Sequence, residues 1–221
     1  MFSSLDDALL DELSSRAIVQ FAPRKRVVVN ENQQFEALGV LLEGRISVNI
    51  ALRGVGGTVR PCMLYLVEPG ETFAEFAALD GDTAVGDIAA LTDVRYAVFS
   101  KEAVRSAMRR SNAFADALID RAMGRARYSI NRLAGHLTLP VSVRVAQLLL
   151  PYAQSAPGLQ PADARLQKMT QAQLAAMAGS AKEVFARTIS DFEDAGALRR
   201  ERGHIAYLDS EKLSEAYLPA R

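Results

Sequence analysis

The residues with the clearest chemical capacity lie between 168 and 198, in KMTQAQLAAMAGSAKEVFARTISDFEDAGAL. Glu183 and Arg187 are four apart, which on a helix puts a carboxylate and a guanidinium fork on one face, with Lys182 at the helix tip. Phe185, Ile189 and Phe192 recur at i, i+4 and i+7 and take the other face. A helix divided in this way packs on one side and offers an acceptor and a bidentate donor on the other. In the major groove of DNA, a carboxylate accepts from cytosine N4 and arginine donates to guanine O6 and N7. The plainer alternative is an i,i+4 ion pair worth about 0.2–0.5 kcal/mol, with Glu183 acting only as a cap.

Holding those side chains requires a second helix and a corner. Two capping boxes are predicted, Thr170 with Gln173 and Ser180 with Glu183, each satisfying N–H groups that a helix start leaves open. Gly179 supplies the turn between the helices, and Leu174 and Met177 the inner side of the first. The stretch ALRRERGHIAYLD that follows predicts a hairpin: Leu198, the basic Arg199, Arg200 and Arg202, a turn at Gly203, then Ile205 and Tyr207 returning. A basic wing beside a helix-turn-helix supplies phosphate contacts. Thr170, Gln171 and Ser180, at the helix starts, join Lys182, Glu183 and Arg187 as candidate DNA contacts.

The rest of the chain predicts a different architecture. Residues 17–99 give short runs, AIVQF, RVVVN, GVLL, RISVNI and CMLYLV, broken by Gly, Pro, Asn and Asp. Ile46, Val48 and Ile50 alternate with Arg45, Ser47 and Asn49 as in a half-buried strand, and LRGVGGTVR predicts a glycine-rich hairpin connection. Such strands suit a small β-barrel or β-roll, preceded by a short helix with a cap at Ser4. From Lys101 the pattern turns helical. Residues 112–137 predict one long helix, on which Ile119, Ala122, Ala126, Ser129 or Ile130, Leu133 and Leu137 recur at three- and four-residue steps. A lone helix of this length needs something to bury its stripe, and a homodimer interface is the expectation; the alternative is a helix that only covers its own barrel. The expected organisation is 1–110, 111–137 and 138–221.

Composition narrows the class. At 221 residues and 49% hydrophobic, the chain can bury a sizeable core. No apolar run approaches the ~18 residues of a membrane span and the start is acidic and amphipathic, so a cytoplasmic protein without a membrane partner is expected. The formal net charge is +0, yet residues 1–100 hold fourteen acids against eight bases and the remainder twelve against eighteen. That asymmetry points the C-terminal part toward a polyanion. Cys62 is the single cysteine, which excludes an iron–sulfur cluster and any internal disulfide; it is expected to be a packing residue. The two histidines, His136 and His204, fall outside the strand-rich region, which removes a cupin-like metal enzyme.

The order of these parts resembles the CRP/FNR superfamily of bacterial transcription regulators. The likeness is carried by LLEGRISV (41–48), VEPGETFAEFAALDG (67–81), DVRYAVFS (93–100), RVAQLLL (144–150), MTQAQLAAMAGSAKEVFAR (169–187) and GALRRERGHIAYLD (196–209). It implies an α+β chain with an N-terminal double-stranded β-helix (a jelly-roll-like β-roll), a long dimerisation helix and a C-terminal winged helix-turn-helix. It implies a homodimer on a near-palindromic operator in double-stranded DNA, working with RNA polymerase, and no enzyme. Lys182, Glu183 and Arg187 match the DNA-reading positions, while Ala181 and Ala186 stand where relatives often have a hydroxyl residue.

In members that bind a cyclic nucleotide, the stretch equivalent to AEFAALDGDTAVGDIAA is the phosphate cassette, with a Gly-Glu pair, whose Glu meets a ribose hydroxyl, and then Arg-Ser or Arg-Thr. Here Glu75 is kept, Ala74 replaces the glycine, and Ala84 and Val85, or Thr83 with a one-residue shift, stand where the arginine and hydroxyl belong. Ser129 and Ile130 fall where adenine is usually contacted. A phosphate here would face Asp80, Asp82 and Asp87 without a counter-charge, a costly burial, which argues against cyclic AMP or GMP. Haem stays open, although no axial ligand is evident. Three further readings remain: a divergent phosphate loop that still answers a cyclic nucleotide, a roll that is only a scaffold, and a winged helix that docks protein rather than DNA.

Overall fold

Alternation and glycine breaks before residue 100 become two facing sheets. The computed structural model describes residues 6–53 and 59–217, and among these the elements follow in order: α1 (Asp7–Ser15), β1 (Ile18–Ala22), β2 (Val27–Val29), β3 (Ala37–Glu43), β4 (Ile46–Arg53), β5 (Val59–Val67), β6 (Thr72–Phe73), α2 (Glu75–Asp80), β7 (Asp87–Ala90), β8 (Val94–Ser100), α3 (Lys101–Arg110) and α4 (Asn112–Thr138). One sheet runs β1-β8-β3-β6 and the other β2-β7-β4-β5, with antiparallel pairing throughout. Along the chain the strands pass back and forth between the two sheets, except that β4 and β5 pair directly within the second, and this gives the β-roll. The expected connection within LRGVGGTVR and the cap at Ser4 lie outside the described residues; the first described cap is Asp6, whose Oδ1 accepts from the Leu9 amide at 2.7 Å.

Where β3 meets β6, Gly39 opposes Phe73, and a Cβ on Gly39 would lie 2.1 Å from the ring. The missing side chain lets the fully buried Phe73 lie across the strand. Leu9 and Leu13 of α1, Leu38 and Val40 of β3, Phe99, Val104, Phe114 and Leu118 form one buried cluster that seats the helices on the first sheet.

The chain divides into two units, Met1–Asn131 and Arg132–Arg221. In the second, α5 (Val141–Leu149) runs into a 3-10 turn, then β9 (Gln160–Pro161), α6 (Ala164–Gln167), α7 (Gln171–Met177), α8 (Lys182–Asp194), β10 (Leu198–Glu201), β11 (His204–Leu208) and α9 (Ser210–Tyr217). A sheet of order β10-β11-β9 closes the wing, its third strand supplied by Gln160 and Pro161 paired with Leu208 and Tyr207. Two residues are too few to show a period, so the sequence does not reveal this third strand.

Helix α4 carries two apolar lines, and separating them corrects the predicted seam. Phe114, Leu118 and Ala122, four apart, are buried by their own chain. Ala122 is only 1% exposed, so it has no surface left to give a second copy. The outward line runs Ile119 (44% exposed), Met123 (54%), Ala126, Ile130 (64%), Leu133 and Leu137 (87%), with Ala126 and Leu133 half-buried. Its steps of four, three, four, three and four are those of a coiled-coil seam. Met123, not Ala122, belongs to it.

Candidate functional site

The reading helix is built from its corner. Helix α7 opens with the predicted reciprocal box: the Gln173 amide donates to Thr170 Oγ1 at 3.2 Å and the Thr170 amide to Gln173 Oε1 at 2.8 Å. Gly179 then takes φ +57°, and the Ser180 amide donates to the Ala175 carbonyl at 2.9 Å. The second predicted box does not form. Helix α8 is capped at Ala181, one residue later than expected and without a side-chain bond, while Ser180 Oγ donates to the Ala181 carbonyl at 3.0 Å. Ser180 is thus part of the corner rather than a cap, and Glu183 is released from capping. Among the described residues no ion pair joins Glu183 to Arg187, so the plainer alternative does not hold in that form.

Phe185, Ile189 and Phe192 are at most 1% exposed, and Thr188 Oγ1 donates back to the Val184 carbonyl. Lys182, Glu183 and Arg187 are exposed, as is Thr170 at the start of α7, with Gln171 half-buried next to it. Val184, 44% exposed between Glu183 and Phe185, completes the outer face. An apolar side chain there suits a thymine methyl group, and charge spacing in the sequence does not single it out.

The wing separates its three arginines. Arg202 (φ +51°) and Gly203 (φ +81°) form the tight two-residue turn, both with positive φ. Arg199 stacks on Tyr207, its guanidinium carbon 3.8 Å from the ring centre, and pairs with Glu201 at 3.2 Å. Arg200 turns the other way: its Nε donates to Glu193 Oε2 at 2.7 Å and its amide to Glu193 Oε1 at 2.8 Å. Those bonds hold the Glu193 carboxyl below the usual carboxylate range. Arg200 therefore ties the wing to α8, unlike Arg199 and Arg202.

Behind the corner sits Arg144 of α5. Its Nη1 donates to the carbonyls of Ala178 (2.6 Å) and Gly179 (2.9 Å) and lies 2.9 Å from His136 Nδ1. Arginine has only hydrogens to offer, so Nδ1 accepts and the imidazole proton is on Nε2. Burial, then the Arg144 and Arg132 charges, bring the His136 pKa down to about 4.

In the roll, a shallow pocket is lined by Val48, Tyr65, Ala74, Ala84, Val85 and Ile88 among others, with an interior volume of about 10 Å³, room for on the order of one water. Of the effector candidates, Ala84 and Val85 line it. Thr83 instead bridges Gln34 through its backbone and donates its amide to Asp82 Oδ1, while Ile130 is on the outward line of α4 and Ser129 is half-buried. Glu75 is fully buried: its Oε1 accepts from Thr72 Oγ1 at 2.6 Å, and its Oε2 has no hydrogen-bond partner. Arg125, which is not among the effector candidates, reaches in from α4. It stacks 4.2 Å over Tyr65, donates to the Leu66 carbonyl at 3.1 Å, and stands 3.4 Å from Glu71 Oε2 and 3.9 Å from Glu75 Oε1. Burial pushes the Tyr65 phenol up, the Glu75 carboxylate adds to that, and Arg125 opposes it. Asp80, Asp82 and Asp87 accept from the amides of Asp82, Thr83 and Glu31. Among the described residues, no group of His, Cys, Asp or Glu is placed to hold a metal ion, and no helix is long and apolar enough to cross a membrane.

A β-roll, a long helix and a winged helix-turn-helix define a class of two-part regulators that read DNA. Residues 19–111 match the model of the cyclic nucleotide-binding domain, and residues 143–216 that of the Crp-like helix-turn-helix domain. A curated relative from Mycobacterium tuberculosis, described as a CRP-like cAMP-activated global transcriptional regulator, is 25% identical over 215 residues, 97% of this chain and 94% of that one. Among solved structures, FixK2 from Bradyrhizobium japonicum aligns with a TM-score of 0.75 at 17% identity over 93% of this chain and 98% of that one. A CooA mutant from Carboxydothermus hydrogenoformans aligns at 0.77 and 16% identity over 96% and 90%. The chain belongs to the CRP/FNR superfamily of transcription regulators, which are not enzymes.

Proposed function

We propose that this chain works as a homodimer that reads a near-palindromic operator without needing a cyclic nucleotide. The observation that carries the first half is the outer face of α8: Lys182, Glu183, Val184 and Arg187 are exposed on a helix whose other face is fully packed. Arg187 and Glu183 specify bases, Lys182 assists, and Arg199 and Arg202 meet the backbone. The outward line of α4 supplies the dimer seam, and the two reading helices address half-sites about one helical turn, ~34 Å, apart.

For the second half, the residues of the roll do not fit a cyclic phosphate. The pocket lining has no cation, Ala84 and Val85 stand where the arginine and hydroxyl would be needed, and the neighbouring charges in sequence are Asp80, Asp82 and Asp87. Arg125, whose guanidinium stacks on the lining residue Tyr65, is already engaged by Glu71 and the Leu66 carbonyl. Uncompensated burial of a phosphate charge would cost several kcal/mol, on the order of what specific binding could return. The test is selection of duplexes from a random pool by the purified dimer, then affinity for the winner and a scramble across a salt series, with and without cyclic AMP. Enrichment of a palindrome, with cyclic AMP changing its affinity less than about twofold, is the expected result. An increase of about tenfold or more with cyclic AMP would overturn effector independence. Equal, purely salt-dependent affinity for every duplex would overturn operator reading.

A further inference from the structure

The last turn of α4, the start of α5 and the corner before α8 meet at one guanidinium. The carbonyls of Ala178 and Gly179 are those left open where α7 ends, and Arg144 Nη1 satisfies both while also donating to His136. The imidazole lies directly on the corner: a Cβ on Gly179 would fall 1.7 Å from His136 Cε1. His136 belongs to α4 and Arg144 to α5, so their contact spans the Leu139–Pro140 link at which the helix breaks. Leu133 and Leu137, on the outward line of α4, flank His136 in sequence.

We propose that His136 and Arg144 are positioning residues, a latch that fixes the direction in which α8 leaves the end of α4 and so sets the half-site separation the dimer accepts. This rests on the DNA reading proposed above. The lever is short and stiff. Over the 13 residues of α8, about 20 Å, a swing of about 10° displaces the far end by about 3.5 Å, one base-pair step. The latch adds no base contact; its effect falls on spacing alone.

Two measurements on the full chain test it, using His136→Leu and Arg144→Gln to remove the contact and His136→Gln to restore an acceptor. In the first, spin labels at Asn131→Cys and Asp191→Cys, with buried Cys62 left in place and unlabelled chain in excess, report the distance from α4 to the reading helix. The native latch gives one narrow distribution, His136→Leu and Arg144→Gln broaden it, and His136→Gln narrows it again. In the second, affinities are compared on a single half-site and on operators with the spacer changed by one and two base pairs. Native protein loses about tenfold on a changed spacer, whereas His136→Leu binds all spacers within about twofold and keeps its half-site affinity. Unchanged distance widths overturn the latch, and so does half-site affinity that falls in step with full-site affinity. A native chain that prefers no duplex refutes the DNA reading instead, and the distance measurement still decides the latch.

Discussion

Arg187 stands exposed on α8 without a protein partner among the described residues, whereas Arg200 is engaged by Glu193 and Arg202 occupies the wing turn. Arg187→Ala should cost about 1–3 kcal/mol on the operator and relax preference at one base pair, while Arg202→Ala should weaken binding to every sequence alike and lower the salt slope by about one. Equal losses on operator and scramble for both variants would contradict that division. Arg200→Ala should behave unlike either: it leaves the salt slope intact and destabilises the winged helix by about 1 kcal/mol, read from urea melts. The sequence displays three wing arginines as equivalents. They differ because the β10–β11 register shifts between Arg199 and Arg200, a bulge that simple alternation does not foretell.

At the scale of elements, α4 carries the clearest test. Met123→Asp with Ile130→Asp places charges on the outward line and should convert a dimer into monomers with the roll still folded, as measured by sedimentation. Ala122→Leu should instead overpack the inner line and cost about 1–3 kcal/mol of stability without changing assembly. A monomer from Ala122→Leu alone would reverse the assignment of the two lines. The helix itself is legible from its apolar steps, but its phase is not: alanines at 122 and 126 fit either line, and only burial separates them. The start of α8 hides for a related reason. Ser180 with Glu183 has the spacing of a capping box, yet the chain needs Gly179 and Ser180 for the corner, which moves the boundary to Ala181.

At the scale of the whole molecule, acid should loosen the second unit in stages. His136 has its pKa brought down from 6.5 to about 4, so below pH 6.5 the unfolded chain takes up a proton that the folded chain refuses, and stability falls as the pH drops toward 4. Asp163, brought down to about 2 by its bonds from Arg165, and Glu193, lowered by Arg200, contribute stability that persists above their unfolded values and disappears at still lower pH. Exchange of α8 amides, corrected for intrinsic rate, should accelerate from pH 6.5 to 4.5, and His136→Gln should remove that stage. Architecture is the most legible layer of this chain, because strand period, helix period and glycine breaks are local signals. Arg125, Arg144 and the short β9 are not, since each acts on residues distant in sequence. That small strand has an outcome for the chain in a crowd. Pro161 has no N–H to lend, so the outer margin of the wing sheet offers an incoming strand an incomplete ladder, and copies gathered side by side on one nucleic acid are discouraged from zipping together into aggregates.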